Sequence, residues 1–546
     1  MPCFVTDSDG ATPRPSRFAG LFARRARTML LAGCLPLAGA VVAATVVAPR
    51  AGAQASPYVP LEDIAYKYAD ALIARGALKN VSALERPYTA HALAIGADSV
   101  LAKSRNPVIR SYALALQTAL VRYGDGMAKQ MEGASDPSAG HLFINGDLFM
   151  TGQTSGIRDL MQADTSNSVT GGAGIRVGFT AGPLVMMLHP IADNRLNNDP
   201  QFGGRKDRDL AGRTQDAYVG GQWTYAQLFL GRIGRNWGPS DVDGLEVGNY
   251  AYSYDHLYAL LGTDKLHISS LAAKLDDDFE TDGVHARYFY AHRLAGRWRS
   301  LELGINEAYV TTGVGRSYDL SLMNPLNVYS LSWRNEKTDG NLNVGGSFAL
   351  RTDRFGMYSG ELFFDDVQID RCKTTCKEPS SYGATFAIDG VPLLGEQRAF
   401  ASYTRLTALA YRTPNPAEQY SSFGVGLGQG FSDYDEVRAG VDLAVIPYLT
   451  TKVYGAYRRQ GEGDFHLPFP PVSAYPSVKG FLMGTVEHVS RVGIVGGMML
   501  APGLEVTGDG GVNHATNAGH VNGKSNTMFE GRIRLQWTPR GWSGSL

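Results

Sequence analysis

The stretch from Gly231 to Gly244 holds the densest set of residues that could bind a ligand. Trp237 offers a flat apolar face on which a sugar ring could stack, and its polar neighbours offer hydrogen-bond donors and acceptors. Arginines among those neighbours could also pair with the acidic groups of a sugar. The stretch therefore predicts a carbohydrate site with six candidate residues: Arg232, Arg235, Asn236, Trp237, Asp241 and Asp243.

A structural interpretation of the same stretch stays open. Trp237 could belong to the aromatic girdle of a membrane barrel, and the arginines could be lumen-facing partners of carboxylates. Asp241, Asp243 and Glu246 could hold calcium, but their spacing departs from the EF-hand pattern. We therefore predict neither a metal site nor a cofactor.

A second chemical feature is the cysteine pair Cys372 and Cys376, which lies beyond the N-terminal leader. In an exported protein such a pair is more often bridged than reduced. A zinc site would need a second pair of ligands nearby, and the sequence offers none. The pair thus predicts a disulfide at the tip of a hairpin.

Local signatures of catalysis are missing from the sequence. It contains no Gly-x-Ser-x-Gly elbow, no His-Glu-x-x-His and no phosphate-binding glycine loop. A triad assembled from distant strands would leave no such signature, so a hydrolase remains the least favoured alternative. We predict no catalytic residue and no enzyme, and a net charge of -1 argues against nucleic acid as a partner.

The elements that must position these residues are strands with one apolar and one polar face. In the last strand, Glu530, Arg532, Arg534 and Gln536 alternate with Phe529, Ile533, Leu535 and Trp537. Alternate side chains of a strand point to opposite faces. A barrel in the outer membrane turns the apolar face to lipid and lines its lumen with the polar face.

This alternation continues from His141 to the end of the chain, which is rich in glycine (65) and tyrosine (27). A β-sandwich alternates too, but its domains are far shorter. We predict a mainly β fold: a large antiparallel transmembrane β-barrel over 141–546, with about 18 strands and a wet lumen. Tight turns are expected at Ile446-Pro447 and near Ser490.

The N-terminal part has a different period. Arginines, an apolar run from Met29 to Ala48 and small residues up to Ala55 have the plan of a secretory signal peptide over residues 1–55, with cleavage after Ala53 or Ala55. Helical spacing then predicts a small bundle over 56–126, followed by a linker over 127–140. The bundle could be a separate periplasmic domain or a plug seated against the barrel.

Several phrases of the chain resemble the capsule-assembly Wzi family. These are the Gly-Arg-Asn-Trp-Gly-Pro run that ends at Pro239, Glu85 to Thr89, Met323 to Leu326, and Glu361 to Asp366. The resemblance implies an outer-membrane barrel of a diderm bacterium, with the helical bundle on its periplasmic side. It also implies a monomeric lectin that anchors capsular or other surface polysaccharide, with outer-membrane lipid around it. A general diffusion porin is the main alternative.

Overall fold

The computed structural model describes residues 55–124, 140–162, 166–208, 210–280, 283–336, 339–352, 354–366 and 379–545. Cys372, Cys376, most of the leader and most of the linker lie outside these ranges. The disulfide and the signal peptide therefore stay predictions.

Within the described ranges, three helices precede the barrel and two short ones lie between its strands. Their bounds are α1 Ala65–Ala74, α2 Ala90–Lys103, α3 Pro107–Leu120, α4 Leu320–Met323 and α5 Tyr329–Glu336. None of the helices in the described ranges is long and apolar enough to cross a membrane.

Eighteen strands form the wall of the barrel, and each pairs antiparallel with its neighbours. Their bounds are β1 His141–Gln153, β2 Ser168–Ala181, β3 Leu184–Asp193, β4 Gly212–Gln222, β5 Ala226–Arg232, β6 Asp255–Thr263, β7 Leu266–Lys274, β8 Gly283–Trp298, β9 Leu301–Val314, β10 Asn341–Thr352, β11 Gly356–Asp366, β12 Ser381–Pro392, β13 Arg398–Leu406, β14 Tyr434–Leu443, β15 Leu449–Gln460, β16 Glu487–Ala501, β17 Leu504–Thr516 and β18 Ser525–Trp537.

The ring is closed by pairing between β1 and β18, with Leu148 opposite Trp537 and Gln153 opposite Arg532. The chain beyond Trp537 adds a short segment, Trp542–Ser545, that continues the same pairing along β1 as far as His141. Closure leaves no edge strand, which is the condition for a sheet to sit in hydrocarbon. The predicted fold class, a large antiparallel barrel after a few helices, is confirmed.

The faces of the strands follow the predicted alternation. On β18, Phe529 and Ile533 are 60% and 59% exposed on the outside, whereas Glu530 is 1% exposed on the inside. Of the two predicted tight turns, Ile446-Pro447 does connect β14 to β15. The turn near Ser490 was wrong, because Ser490 lies within β16.

The connections differ at the two ends of the barrel. Ala181 turns directly to Leu184, and Ala501 to Leu504, at what we name the short-turn end. Long connections, such as residues 407–433, lie at the opposite long-loop end.

Side-chain caps mark the starts of α2 and α3. The Thr89 side chain caps α2 by accepting a hydrogen bond from the Ala92 backbone, and Asn106 caps α3 in the same way before Pro107. A side-chain oxygen at this position satisfies a helix N–H that has no partner within the helix.

The helices are seated in the short-turn end and form one compact unit with the barrel. Residues 55–122 make hydrogen bonds to wall or turn residues all round the ring. Those partners are Asn145, Gly182, Tyr218, Gln227, Tyr258, His267, Arg297, Glu302, Arg351, Glu396, Asp442, Leu449, Met499 and Glu505. The sequence left open whether the helices form a separate domain or a plug, and the structure shows a plug.

The connection that carries α4 and α5 lies against the outer face of β8 and β9. It covers His292 and Glu307, whose side chains bond to each other at 2.9 Å and face away from the lumen. Glu307 also accepts hydrogen bonds from the backbone of Tyr329 and Ser330. These polar groups break the rule that outward residues are apolar, and their helical cover explains how the wall tolerates them.

Candidate functional site

The segment 233–254 leaves the wall at half height and enters the lumen. Strand β5 ends at Arg232, which lies opposite Ala217 on β4 and Asp255 on β6, so both short strands stop well before the long-loop end. Gly231 has a φ of +140°, and a Cβ there would lie 2.1 Å from the Ala217 carbonyl oxygen. Only glycine fits this approach, so the exit from the wall is encoded locally.

Inside the barrel this segment meets the helical plug. The backbones of Arg86 and Asn236 exchange two hydrogen bonds, at 2.9 and 3.2 Å. The Arg86 guanidinium also donates to Ser240 at 3.1 Å while it is paired with Asp70 at 2.6 Å. Two phrases that the sequence analysis took from distant parts of the chain are therefore in direct contact.

The same segment supplies the apolar centre of the barrel. Trp237, Leu245 and Val247 have no exposed surface and belong to one buried cluster with the helices and the wall. Tyr411 and Tyr420, from the 407–433 connection, donate hydrogen bonds to the carbonyls of Leu245 and Glu246 at 2.5 and 2.6 Å. We name this packed region, walled by β5–β12, the filled half.

Small wall residues make room for this packing. A Cβ on Gly345 would lie 2.8 Å from Oε2 of Glu246, so that carboxyl occupies the space a side chain would need. The carboxyl accepts from Asn306 at 2.6 Å, and Glu361 accepts from the Leu245 backbone at 2.8 Å. Burial, and then the charge of Glu361, raise the pKa of Glu246 well above its ordinary value.

The other side of the lumen contains a cavity of about 660 Å³ that is partly open to solvent. Its wall consists of residues from β1–β4 and β13–β18, and we name this region the chamber half. Its floor is formed by the plug, through Pro60, Glu62, Asp63, Lys67 and Arg122. A volume of this size is typical of a small-molecule site.

Charged side chains dominate the lining, and on the β14–β17 side they are paired. Arg458 bonds to Asp159 and Glu436, and Arg491 bonds to Asp509 at 2.9 Å. Lys452, which lies on β15, bonds to Asp241. On this side cations and carboxylates neutralise each other.

On the β18–β4 side four half-buried arginines of the lining have no carboxylate within 4 Å among the described residues: Arg158, Arg213, Arg532 and Arg534. Arg158 and Arg213 lie against one ring, Tyr252, with their Cζ atoms 4.5 and 4.6 Å from its centroid. Arg534 lies 3.8 Å over the ring of Phe149.

The six predicted site residues divide between different environments. Trp237 has no exposed surface, so its face is not available to a sugar in this structure, and it does not belong to an aromatic girdle either. Asn236 is buried and bonds to the Val242 carbonyl and the Gly244 backbone. Asp241 and Asp243 line the chamber.

The two arginines of the prediction lie away from the chamber. Arg232 pairs with Asp255 at 2.6 Å. Arg235 bonds to His256 at 2.8 Å, stacks 3.6 Å from the centre of Tyr258, and borders a separate cavity of about 250 Å³ between plug and wall. Ligand binding by the six residues stays a prediction, but they do not form one surface.

The three carboxyls considered for calcium are turned to different partners. Asp241 bonds to Lys452, Asp243 accepts from the Asn249 backbone at 3.3 Å, and Glu246 accepts from Asn306. Burial, partly offset by Arg158, raises the pKa of Asp243 to about 6.

The chamber arginines were not predicted as a group. Arg532 and Arg534 stood out on the polar face of the last strand, but Arg158 and Arg213 lie in other parts of the chain with no local signal. Barrel closure, which places β18 beside β1–β4, brings them together.

Comparison with solved structures places the fold beside a known barrel. The Escherichia coli outer-membrane protein Wzi, described as a carbohydrate-binding β-barrel involved in group 1 capsule assembly, matches with a TM-score of 0.58 and 11% identity, over 88% of this chain and 99% of that one. Pseudomonas aeruginosa OccD3 matches over 74% of this chain with a TM-score of 0.44 and 8% identity. No family model and no curated protein matches the sequence.

Proposed function

We propose that this protein is an outer-membrane barrel that binds and anchors surface polysaccharide, and that it does so without catalysis. The finding that carries the proposal is the plug: its hydrogen bonds reach the wall all round the short-turn end, beneath a solvent-filled chamber. A lumen with a floor suits retention of a ligand, whereas diffusion needs a through path.

The likeness of fold to Wzi supports this choice, because that barrel is described as carbohydrate binding. The polar lining of the chamber offers the convergent donors and acceptors that a sugar needs. Attachment of a long polymer would be multivalent, so a weak contact per sugar could still hold the chain.

The proposal includes an orientation and a state. The short-turn end and its plug face the periplasm, and the long-loop end faces outward, as in other outer-membrane barrels. The protein works as a monomer, with lipid around the apolar outer face.

A general diffusion porin is the competing function, favoured by the mixed charges of the chamber lining. Single-channel conductance of the purified protein separates the two functions. We expect the intact protein to stay closed and a variant that lacks residues 56–124 to open, because that deletion removes the floor.

The matching measurement in cells is the amount of polysaccharide retained at the surface with and without the protein. We expect retention to fall when the protein is removed and to return when the intact chain is restored. A steady open conductance of the intact protein together with unchanged retention would establish the porin.

A further inference from the structure

We propose that the chamber binds the carboxylate groups of an acidic polysaccharide, such as one that contains uronic acids, through Arg158, Arg213, Arg532 and Arg534. This inference rests on the proposed function and deepens it, because it names the chemistry of the sugar that the chamber selects.

Charges in the chamber lining are paired unevenly. Across the chamber, Arg458 and Arg491 each bond to a carboxylate at the wall, so they need no further anion. The four arginines of the β18–β4 side have none within 4 Å among the described residues. A half-buried cation without an anionic partner keeps its charge available, so an arriving anion would find both space and charge.

Two of these guanidinium groups bond to uncharged acceptors. Arg532 donates to the side-chain oxygen of Gln153 at 3.2 Å and to the Ile157 carbonyl at 2.9 Å. Arg534 donates to Gln536 at 3.2 Å. These neutral acceptors orient the groups without cancelling their charge, and further N–H donors remain for a ligand.

Contacts with Tyr252 fix the positions of two of the arginines before any ligand arrives. The Tyr252 ring lies against both Arg158 and Arg213, and its hydroxyl donates to Asp199. Asp199 and Asp193 also lie within 4 Å of a fifth arginine, Arg195. Asp193 and Asp199 are therefore engaged with Arg195 and Tyr252, and Glu62 of the floor acts on Arg213 and Arg534 only from beyond ion-pair distance.

Carboxylate is the matching ligand for chemical reasons. A guanidinium presents parallel N–H groups that bond a planar carboxylate at two points, whereas a neutral sugar hydroxyl accepts a weaker single bond. The cavity of about 660 Å³ accommodates a short stretch of sugar units rather than one small ion.

The test is a titration of the intact purified protein with short oligogalacturonates and with their neutral methyl esters. We expect the acidic form to bind at least about tenfold more tightly, because charged hydrogen bonds are the stronger ones. We also expect added salt to weaken the acidic form selectively. Equal binding of the two forms would overturn the proposal.

Two double variants locate the site: R532Q with R534Q, and R158Q with R213Q. Each should weaken oligogalacturonate about tenfold or more, while Arg532→Lys with Arg534→Lys should retain part of the affinity. The matched control is Arg205→Gln, because Arg205 is a loop arginine with a side chain 71% exposed. Full affinity in both glutamine variants, with barrel folding unchanged by thermal melting, would refute the site.

This outcome is separable from failure of the proposed function. If cells still depend on the protein for polysaccharide retention and the esters bind as well as the acids, the anchoring role stands and the carboxylate site is wrong. If retention does not depend on the protein, the anchoring role itself fails, whatever the oligosaccharides do.

Discussion

The filled half and the chamber half of the lumen are built from the same kind of wall. Both halves are parts of one closed antiparallel ring, and in both the outward residues are mainly apolar. In the filled half, the inward positions include Gly304, Gly345, Ala291 and Ala308, which leave room for an apolar segment. In the chamber half many inward positions carry long charged side chains, which line the cavity.

The difference shows how one wall can have a structural side and a ligand-binding side. Small inward residues let segment 233–254 bury its apolar surface, which is where the stabilisation lies. Long charged residues cannot be covered in that way, because their desolvation would cost more than the packing returns. They keep solvent, and with it a space that a polar ligand can enter.

The largest expected effect tests the filled half. Replacing the buried Trp237 by alanine should cost about 3 to 5 kcal/mol, since a large aromatic leaves a cavity in packed surroundings. Thermal unfolding in detergent measures it. The control is Trp298→Ala, because Trp298 is 55% exposed on the wall.

The same variant decides between packing and ligand contact at Trp237. We expect lost stability with unchanged affinity for oligosaccharide, measured below the lowered melting temperature. Unchanged stability with lost affinity would mean that Trp237 binds the ligand, and the two halves would no longer have separate roles.

A smaller effect is expected from adding one methyl group to an inward position of the filled half, Gly345, and to an outward position of β1, Gly146. A Cβ on Gly345 would lie 2.8 Å from Glu246 and 2.9 Å from the Leu362 carbonyl, so Gly345→Ala should cost about 1 to 3 kcal/mol. At Gly146 on β1 the nearest atom lies at 4.0 Å, so Gly146→Ala should cost little. Equal melting temperatures for the two variants would contradict the tight fit of the filled half.

The smallest effect is a pH dependence at the border between the halves. Asp243 has a pKa of about 6 instead of 3.8, so the folded protein holds its proton where the unfolded chain has lost it. Stability from this group is therefore present at acid pH and is lost as the pH rises from about 4 to about 6. Above pH 6 the free energy of unfolding of Asp243→Asn should exceed that of the parent chain by about 1 kcal/mol.

This prediction is checked by melting curves of both proteins across that pH range. The advantage of the variant should shrink toward zero as the pH falls to about 4. A constant difference would show that the amide acts through its hydrogen bonds and that ionisation of Asp243 has no part in it.

Much of the fold could be predicted from local patterns. Alternation along β18 separated Ile533 from Arg532 correctly, and helical spacing predicted the helices before the barrel. Ser490 was misplaced because a polar residue inside a strand resembles a turn when only its neighbours are considered. The outward Glu307 was also unforeseen, since its cover comes from a later part of the chain.

The candidate site was harder to predict. The six residues from Arg232 to Asp243 have the right chemistry for a sugar site. However, the chain leaves the wall at half the height of the barrel, so Trp237 and Asn236 are buried against the plug. Their contacts are with Arg86 and residues of distant strands, which spacing along the chain does not reveal.

The closed barrel, its apolar outside and the helices before it follow from local patterns in the sequence, because each depends on side chains a few positions apart. The plug, the filled half of the lumen and the four arginines around the chamber are visible only in the folded protein. Those outcomes depend on which strands become neighbours when the ring closes, and on which buried charges then find a partner.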